Sequence, residues 1–220
     1  MEKLLKDEII KTLSAEFKSE DLAHLLNCLD ESMVGASKIA TEFCPTKEIQ
    51  KPFLGQAEHF GIQQAVKTAA DHSGFEFELR ETNPCGAFYP IISSSSFVIA
   101  VRKATSPSVW EKTNHIKELA SYNLIFEDGH DDLFQYMNKN RLNSMFMILS
   151  IFVLPDSRTN ATLLIPSSDL KKVHFAIPLS QVIEASSQPQ DQKSVVPVVK
   201  LKKQLSELDN QDSSQLKFGS

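Results

Sequence analysis

Residues Met145–Leu154 read MFMILSIFVL, and nine of these ten are apolar. The run is too short to span a bilayer, which takes about 20 residues. It is too continuous for a half-exposed strand, which would alternate. It reads as a strand buried on both faces, central in a sheet, and Pro155-Asp156 ends it. Working outward, Pro155–Asn160 forms a hairpin loop into a second strand, Ala161–Pro166, and the pairing is antiparallel. Val173–Ile177 adds a further strand, and Ser180–Ala185 a short helical turn. On the amino-terminal side, Ser106-Pro107 opens a helix with a capping hydroxyl and a first-turn proline. That helix runs to about Tyr122 and covers one side of the central strand with Trp110, Ile116, Leu119 and Ala120. A short helix over Asp131–Asn138 follows.

Further upstream the period is 2. In Phe75–Arg80, Phe75, Phe77 and Leu79 share one face, while Glu76, Glu78 and Arg80 share the other. Tyr89–Ile92 and Phe97–Val101 are extended, and Ser93–Ser96 reads either as the turn between them or as the polar part of an edge strand. Before residue 74 the period is helical. Leu4, Leu5, Ile9, Leu13 and Phe17 mark a first helix. Leu22, Leu25, Leu26, Leu29 and Met33 mark a second, with Ser19 as its cap. Cys44-Pro45 and Lys51-Pro52 break the pattern. A third helix covers Gln56–His72, with Phe60, Ala65, Val66, Ala69 and Ala70 apolar and Gly74 as its stop. The fold class is therefore α+β, an N-terminal helical layer on a mostly antiparallel sheet. Residues 1–185 form one domain, with 1–73 helical and 74–185 carrying the sheet. Residues 186–220 form a flexible polar tail, interrupted by an apolar island at 195–203.

With 41% hydrophobic and 23% charged residues the composition is that of a globular domain. A net charge of -5 argues against a dedicated nucleic-acid binder, which needs a basic surface, although a local basic patch stays open. The three cysteines, Cys28, Cys44 and Cys85, form no CxxC pair, and a reducing cytoplasm is the simplest compartment. The charged start MEKLLKDEIIKTL is not a signal peptide, and no membrane partner is expected. There is no phosphate-binding glycine loop, no GxSxG elbow and no zinc spacing, and a count of only seven glycines in the chain removes most nucleotide-binding folds.

Three constellations carry potential chemistry. Glu127–Asp132 (EDGHDD) offers Asp128, His130, Asp131 and Asp132 as ligands for Mg²⁺ or Mn²⁺, against a plain reading as a solvated turn. Glu58-His59 on the third helix, with Glu76, Glu78 and Arg80 on the next strand and Arg102-Lys103 on a later one, forms the second set. A helix followed by a sheet with acids on its polar face resembles the way PD-(D/E)XK nucleases present carboxylates to a metal. Those enzymes need a lysine two residues after an acid. Arg80 holds that place after Glu78, and a permanently charged arginine does not replace a tunable lysine. The preceding aspartate is also missing. Cys85, in the loop Asn83-Pro84-Cys85-Gly86, is the third candidate, as a nucleophile in need of a histidine base.

The island Val195–Lys203 is the non-catalytic signal. Val195, Val196, Val198, Val199 and Leu201 form a β-branched run that either adds to a partner's sheet edge or closes this domain's own sheet, where Pro197 suits an edge. The order from helix and Gly74 to the buried strand and Pro155-Asp156, over about Gln56–Ile183, resembles uncharacterised bacterial proteins of mobile-element, toxin–antitoxin or phage-defence settings. The likeness shares no functional motif. It implies a bacterial, antitoxin-like or regulatory role. The expected function is thus a non-enzymatic interaction protein with a protein partner and no cofactor. Nucleic acid and a homo-oligomer stay open as partners. The alternative is a Mg²⁺- or Mn²⁺-dependent phosphodiesterase using Glu58, Glu76 and Glu78.

Overall fold

The structure, a computed structural model, describes residues 2–82, 85–104, 114–124, 144–154 and 158–187. Three helices come first: α1 (Glu2–Glu16), α2 (Ser19–Phe43) and α3 (Lys47–Ser73). Strands β1 (Glu76–Glu81), β2 (Phe88–Ser93) and β3 (Phe97–Lys103) follow, then α4 (Asn114–Ala120) with a 3-10 turn at Ser121–Asn123. Strands β4 (Met145–Val153), β5 (Thr159–Pro166) and β6 (Val173–Pro178) lead into α5 (Leu179–Ser187). The six strands form one sheet in sequence order. Every pairing is antiparallel except β3–β4, which is parallel. A parallel neighbour requires a crossover connection, and α4 lies in it.

β4 is central, as its unbroken apolar run requires, between β3 and β5. Its alternate residues serve two cores. Met145, Met147, Leu149 and Ile151 join Phe97, Ile99, Val101, Leu163 and Ile165 beneath α1, α2, α3 and α5. Phe146 and Ile148 join Val98, Ala100 and Leu164 beneath Ile116, Leu119 and Ala120 of α4. Each large side chain so buried contributes about 1.5–3 kcal/mol. Among the described residues no helix is long and apolar enough to cross a membrane.

The helical layer follows from its periodicity. Leu22, Leu25, Leu29 and Met33 of α2 face α3 and the sheet, and Ile9, Leu13 and Phe17 close the core from α1. Gly61 lets α2 and α3 approach closely, because a Cβ there would sit 3.3 Å from Ser32 Cβ. Gly74 ends α3 at φ 74°, where its N–H bonds Ala70 O at 2.8 Å. A side chain would be strained in that left-handed conformation.

Four elements differ from the sequence reading. Pro52 does not stop α3 but lies inside it, so the helix starts at Lys47. Proline there removes one helical hydrogen bond, and packing against α2 along the rest of the helix outweighs that loss. Phe60, expected in the core, is 63% exposed, while Ile62 is buried instead. Leu79 is 43% exposed, because β1 is an edge strand at the rim of the helical layer. The turn Ser180–Ala185 extends to a full helix ending at Ser187, so the domain continues past residue 185. Ser186 Oγ donates to Phe17 O at 3.1 Å, tying α5 to the end of α1. Ser93–Ser96 resolves as a turn, with Ser94 N–H on Phe97 O, and Glu16 accepts bonds from Ser95 Oγ and Ser96 N.

One polar side chain is built wholly into this fold. Asn123 is 0% exposed. Its Nδ2 donates to Phe146 O (3.0 Å) and Pro166 O (2.8 Å), and its Oδ1 accepts from Phe146 N (2.9 Å). Continuing the β4–β5 register two steps beyond Ile148–Leu164 sets Phe146 opposite Pro166. The carboxamide therefore stands in for ladder bonds where the two strands part, and it ties the end of the α4 segment to both.

Candidate functional site

The sheet divides the proposed acids between its two faces. Residues 97, 99 and 101 of β3 face the α1–α3 side, so Lys103 does too, and it pairs there with Glu58 of α3. Glu58 is buried, and Lys103 closes over it from solvent at the strand's end. Glu76, Glu78 and Arg80 alternate with Phe77, which packs against the α1–α3 side, so they point to the other face. There Arg80 Nη2 donates to Glu78 Oε2 at 2.9 Å and Nε to Oε1 at 3.3 Å, a forked pair within one strand. Burial works against the Arg80 charge, but its bonds to Glu78 hold the guanidinium pKa above the ordinary value. A groove of about 450 Å³ lies along this face, lined by Glu76, Glu78, Arg80, Ser94 and Tyr122.

Glu58 therefore does not converge with Glu76 and Glu78. Among the described residues no group of three or more His, Cys, Asp or Glu is placed to hold a metal ion. Asp128, His130, Asp131 and Asp132 lie outside the described residues, as do the start of the crossover helix at Ser106-Pro107, Asp131–Asn138 and the island with Val195, Val196, Val198, Val199 and Leu201.

Cys85 is exposed, as its loop position suggested, and no histidine bonds its sulfur among the described residues. The thiol that does meet an imidazole is Cys28, whose Sγ lies 3.5 Å from His24 Nε2. That thiol is buried, and burial followed by the charge of Glu31 pushes its pKa up, which disfavours the nucleophilic thiolate. His24 packs against His72 across α2 and α3, ring centroids 4.4 Å apart.

A second pocket, of about 260 Å³, opens at the carboxyl end of β3. Successive strand residues point to opposite faces, so Arg102 and Lys103 straddle the end of the sheet. Arg102 turns toward His115 of α4, while Lys103 turns toward α3. Tyr89 of β2 stacks on His115, centroids 4.3 Å apart and planes 31° apart. Burial, and then the charge of Arg102, pushes the His115 pKa down, which disfavours the charged ring. Burial likewise raises the Tyr89 pKa. Across the mouth, Gln63 Nε2 donates to Phe88 O at 2.7 Å and lies 2.9 Å from His59 Nε2. The sequence reading noticed Arg102-Lys103 and His59 but missed this pocket. The available signal was two adjacent cations ending an apolar strand, which alternation must send to opposite faces. No family model, curated protein or solved structure matches this chain.

Proposed function

We propose that this chain is a non-enzymatic interaction or regulatory protein. The observation that carries the reading is the sheet between Glu58 and the pair Glu76–Glu78. Metal-assisted phosphodiester cleavage needs carboxylate oxygens gathered around one or two cations. Here Glu58 and Glu78 each already neutralise a cation of their own, on opposite faces. A protein partner is supported by exposed apolar positions at the far end of the α2–α3 hairpin, where Phe43 is 74% and Ile49 60% exposed.

The experiment pairs a melting curve of the intact chain with affinity purification under cross-linking. Mn²⁺ leaves the melting temperature unchanged, and a captured protein is lost on Phe43→Ser or Ile49→Ser without loss of fold. A Mn²⁺-dependent rise in melting temperature, or phosphodiesterase activity, abolished by Glu76→Ala or Glu78→Ala would overturn the reading in favour of the metal enzyme.

A further inference from the structure

We infer that residues 198–201 of this same chain add a further, antiparallel strand to the open edge of β1. Among the described residues β1 pairs only with β2. Thr82 N–H bonds Ala87 O at 2.8 Å, and these two residues continue the β1–β2 register. Hydrogen-bonded pairs alternate along an antiparallel ladder, so Glu76, Glu78 and Arg80 turn their peptide groups toward β2. Phe77, Leu79 and Glu81 therefore turn theirs outward, where no described strand meets them. Such an edge is a template for one more strand, and Leu79, 43% exposed, leaves an apolar side chain beside it.

The island at 195–203, outside the described residues, matches this edge in pattern. With Val199 opposite Leu79 and Leu201 opposite Phe77, the apolar residues of both strands share the face that packs toward α1–α3. Lys202 then falls opposite Glu76 on the other face. Glu76 is exposed and has no ion pair among the described residues. Glu78 is already held by Arg80, so Glu76 and Lys202 carry the charge match. Pro197, with no N–H to give, falls opposite Glu81, where the ladder begins. The sheet's other edge, β6, contains no acid, and Lys171 and Lys172 lead into it, so the lysines of the island meet like charge there.

The chain also leaves the domain in the right place. Ser186 Oγ donates to Phe17 O, and the Phe17 ring packs on Phe75, one residue before β1, with centroids 5.0 Å apart. The end of α5 thus lies beside the amino end of β1. The ten residues 188–197 reach up to about 33 Å when extended. The six residues of β1 span about 20 Å. That spacer runs the length of β1 and lets the strand return antiparallel.

Hydrogen exchange of the full chain, read by mass spectrometry, tests this. Amides at 198–201 exchange at least about tenfold more slowly than in an unfolded peptide, at any protein concentration. Leu201→Asp speeds exchange there and in β1 together by about tenfold or more, while the melting curve stays cooperative. Glu76→Lys and Lys202→Glu each speed it, and the two combined restore protection. In a Cys85→Ser background, Leu79→Cys with Val199→Cys forms an intrachain disulfide, because hydrogen-bonded pairs lie about 5.5 Å apart. Leu79→Cys with Val198→Cys does not, since a slip of one residue turns the side chain to the other face. Exchange at 198–201 as fast as in an unfolded peptide would overturn the inference. So would β1 exchange unmoved by Leu201→Asp, a charge swap that restores nothing, or equal disulfide yields from positions 198 and 199. Protection lost on dilution would also overturn it, because it marks the tail of a second copy.

Discussion

Replacing Asn123 with alanine removes two donated bonds and one accepted bond from a site with no access to water. Phe146 N–H and the carbonyls of Phe146 and Pro166 then lose a partner at once. A buried polar group left unsatisfied costs about 1–3 kcal/mol. The carbonyls retain a second lone pair, and the space vacated by the carboxamide can admit water, so the three costs do not add in full. The expected loss is roughly 3–5 kcal/mol. For a chain of this size each kcal/mol moves the melting temperature by about 2–4 °C, which gives a drop on the order of 10 °C. Asn123→Asp preserves the shape but cannot donate when ionised, and it turns a charge toward two carbonyl oxygens. It should be at least as damaging. Urea unfolding followed by far-ultraviolet circular dichroism measures both variants. A loss below about 1 kcal/mol for Asn123→Ala, the value of one ordinary hydrogen bond, would refute the view that this side chain completes the β4–β5 ladder.

Two further substitutions probe the β3 end. Lys103→Met strands the buried Glu58 carboxylate, whereas Glu58→Gln leaves an amine that swings to water. The first should cost about 2 kcal/mol, discounted from the usual 3–5 because Lys103 is partly exposed, and the second under about 1. Equal or reversed losses in chemical denaturation would refute a pair dominated by burial of its acid. His115 has a folded-state pKa below its ordinary 6.5, so the unfolded chain binds the extra proton as pH falls. Its stability contribution is complete above 6.5 and declines below it. Melting temperatures at pH 7.5 and 5.5 should therefore differ less in His115→Gln than in the native chain. An identical slope would show that the ring is not held neutral by burial.

The sheet was legible because its signals are local. Met145–Leu154 announced a strand wet on neither face, and the alternation at Phe75–Arg80 announced one wet on one face. Gly74 marked a helix end through its own backbone freedom. What escaped was decided by distance along the chain. Glu58 and Lys103 are far apart in sequence, and no local pattern says that a helix acid will meet a strand lysine. No local pattern singles out Asn123, and only the fold sets it between Phe146 and Pro166. Pro52 misled because helix-breaking chemistry was weighed without the long α2 surface that holds α3 in place. The candidate acids were likewise placed on helix and strand correctly. Their separation required knowing which face of the sheet α3 covers.

The single parallel joint in the sheet has a consequence during synthesis. Strands β1–β3 form one local meander and β4–β6 another, and residues 104–144 separate them. As the chain emerges, β3 is complete while its partner β4 is still unmade. Its free edge, Phe97–Lys103, is then a row of open peptide groups flanked by large apolar side chains, a template for pairing with the wrong chain. Arg102 and Lys103 close that edge with two like charges, which repel a second nascent copy aligned in parallel register. Lys103, which pairs with Glu58 in the finished protein, thus joins Arg102 in guarding the unfinished one against its own kind.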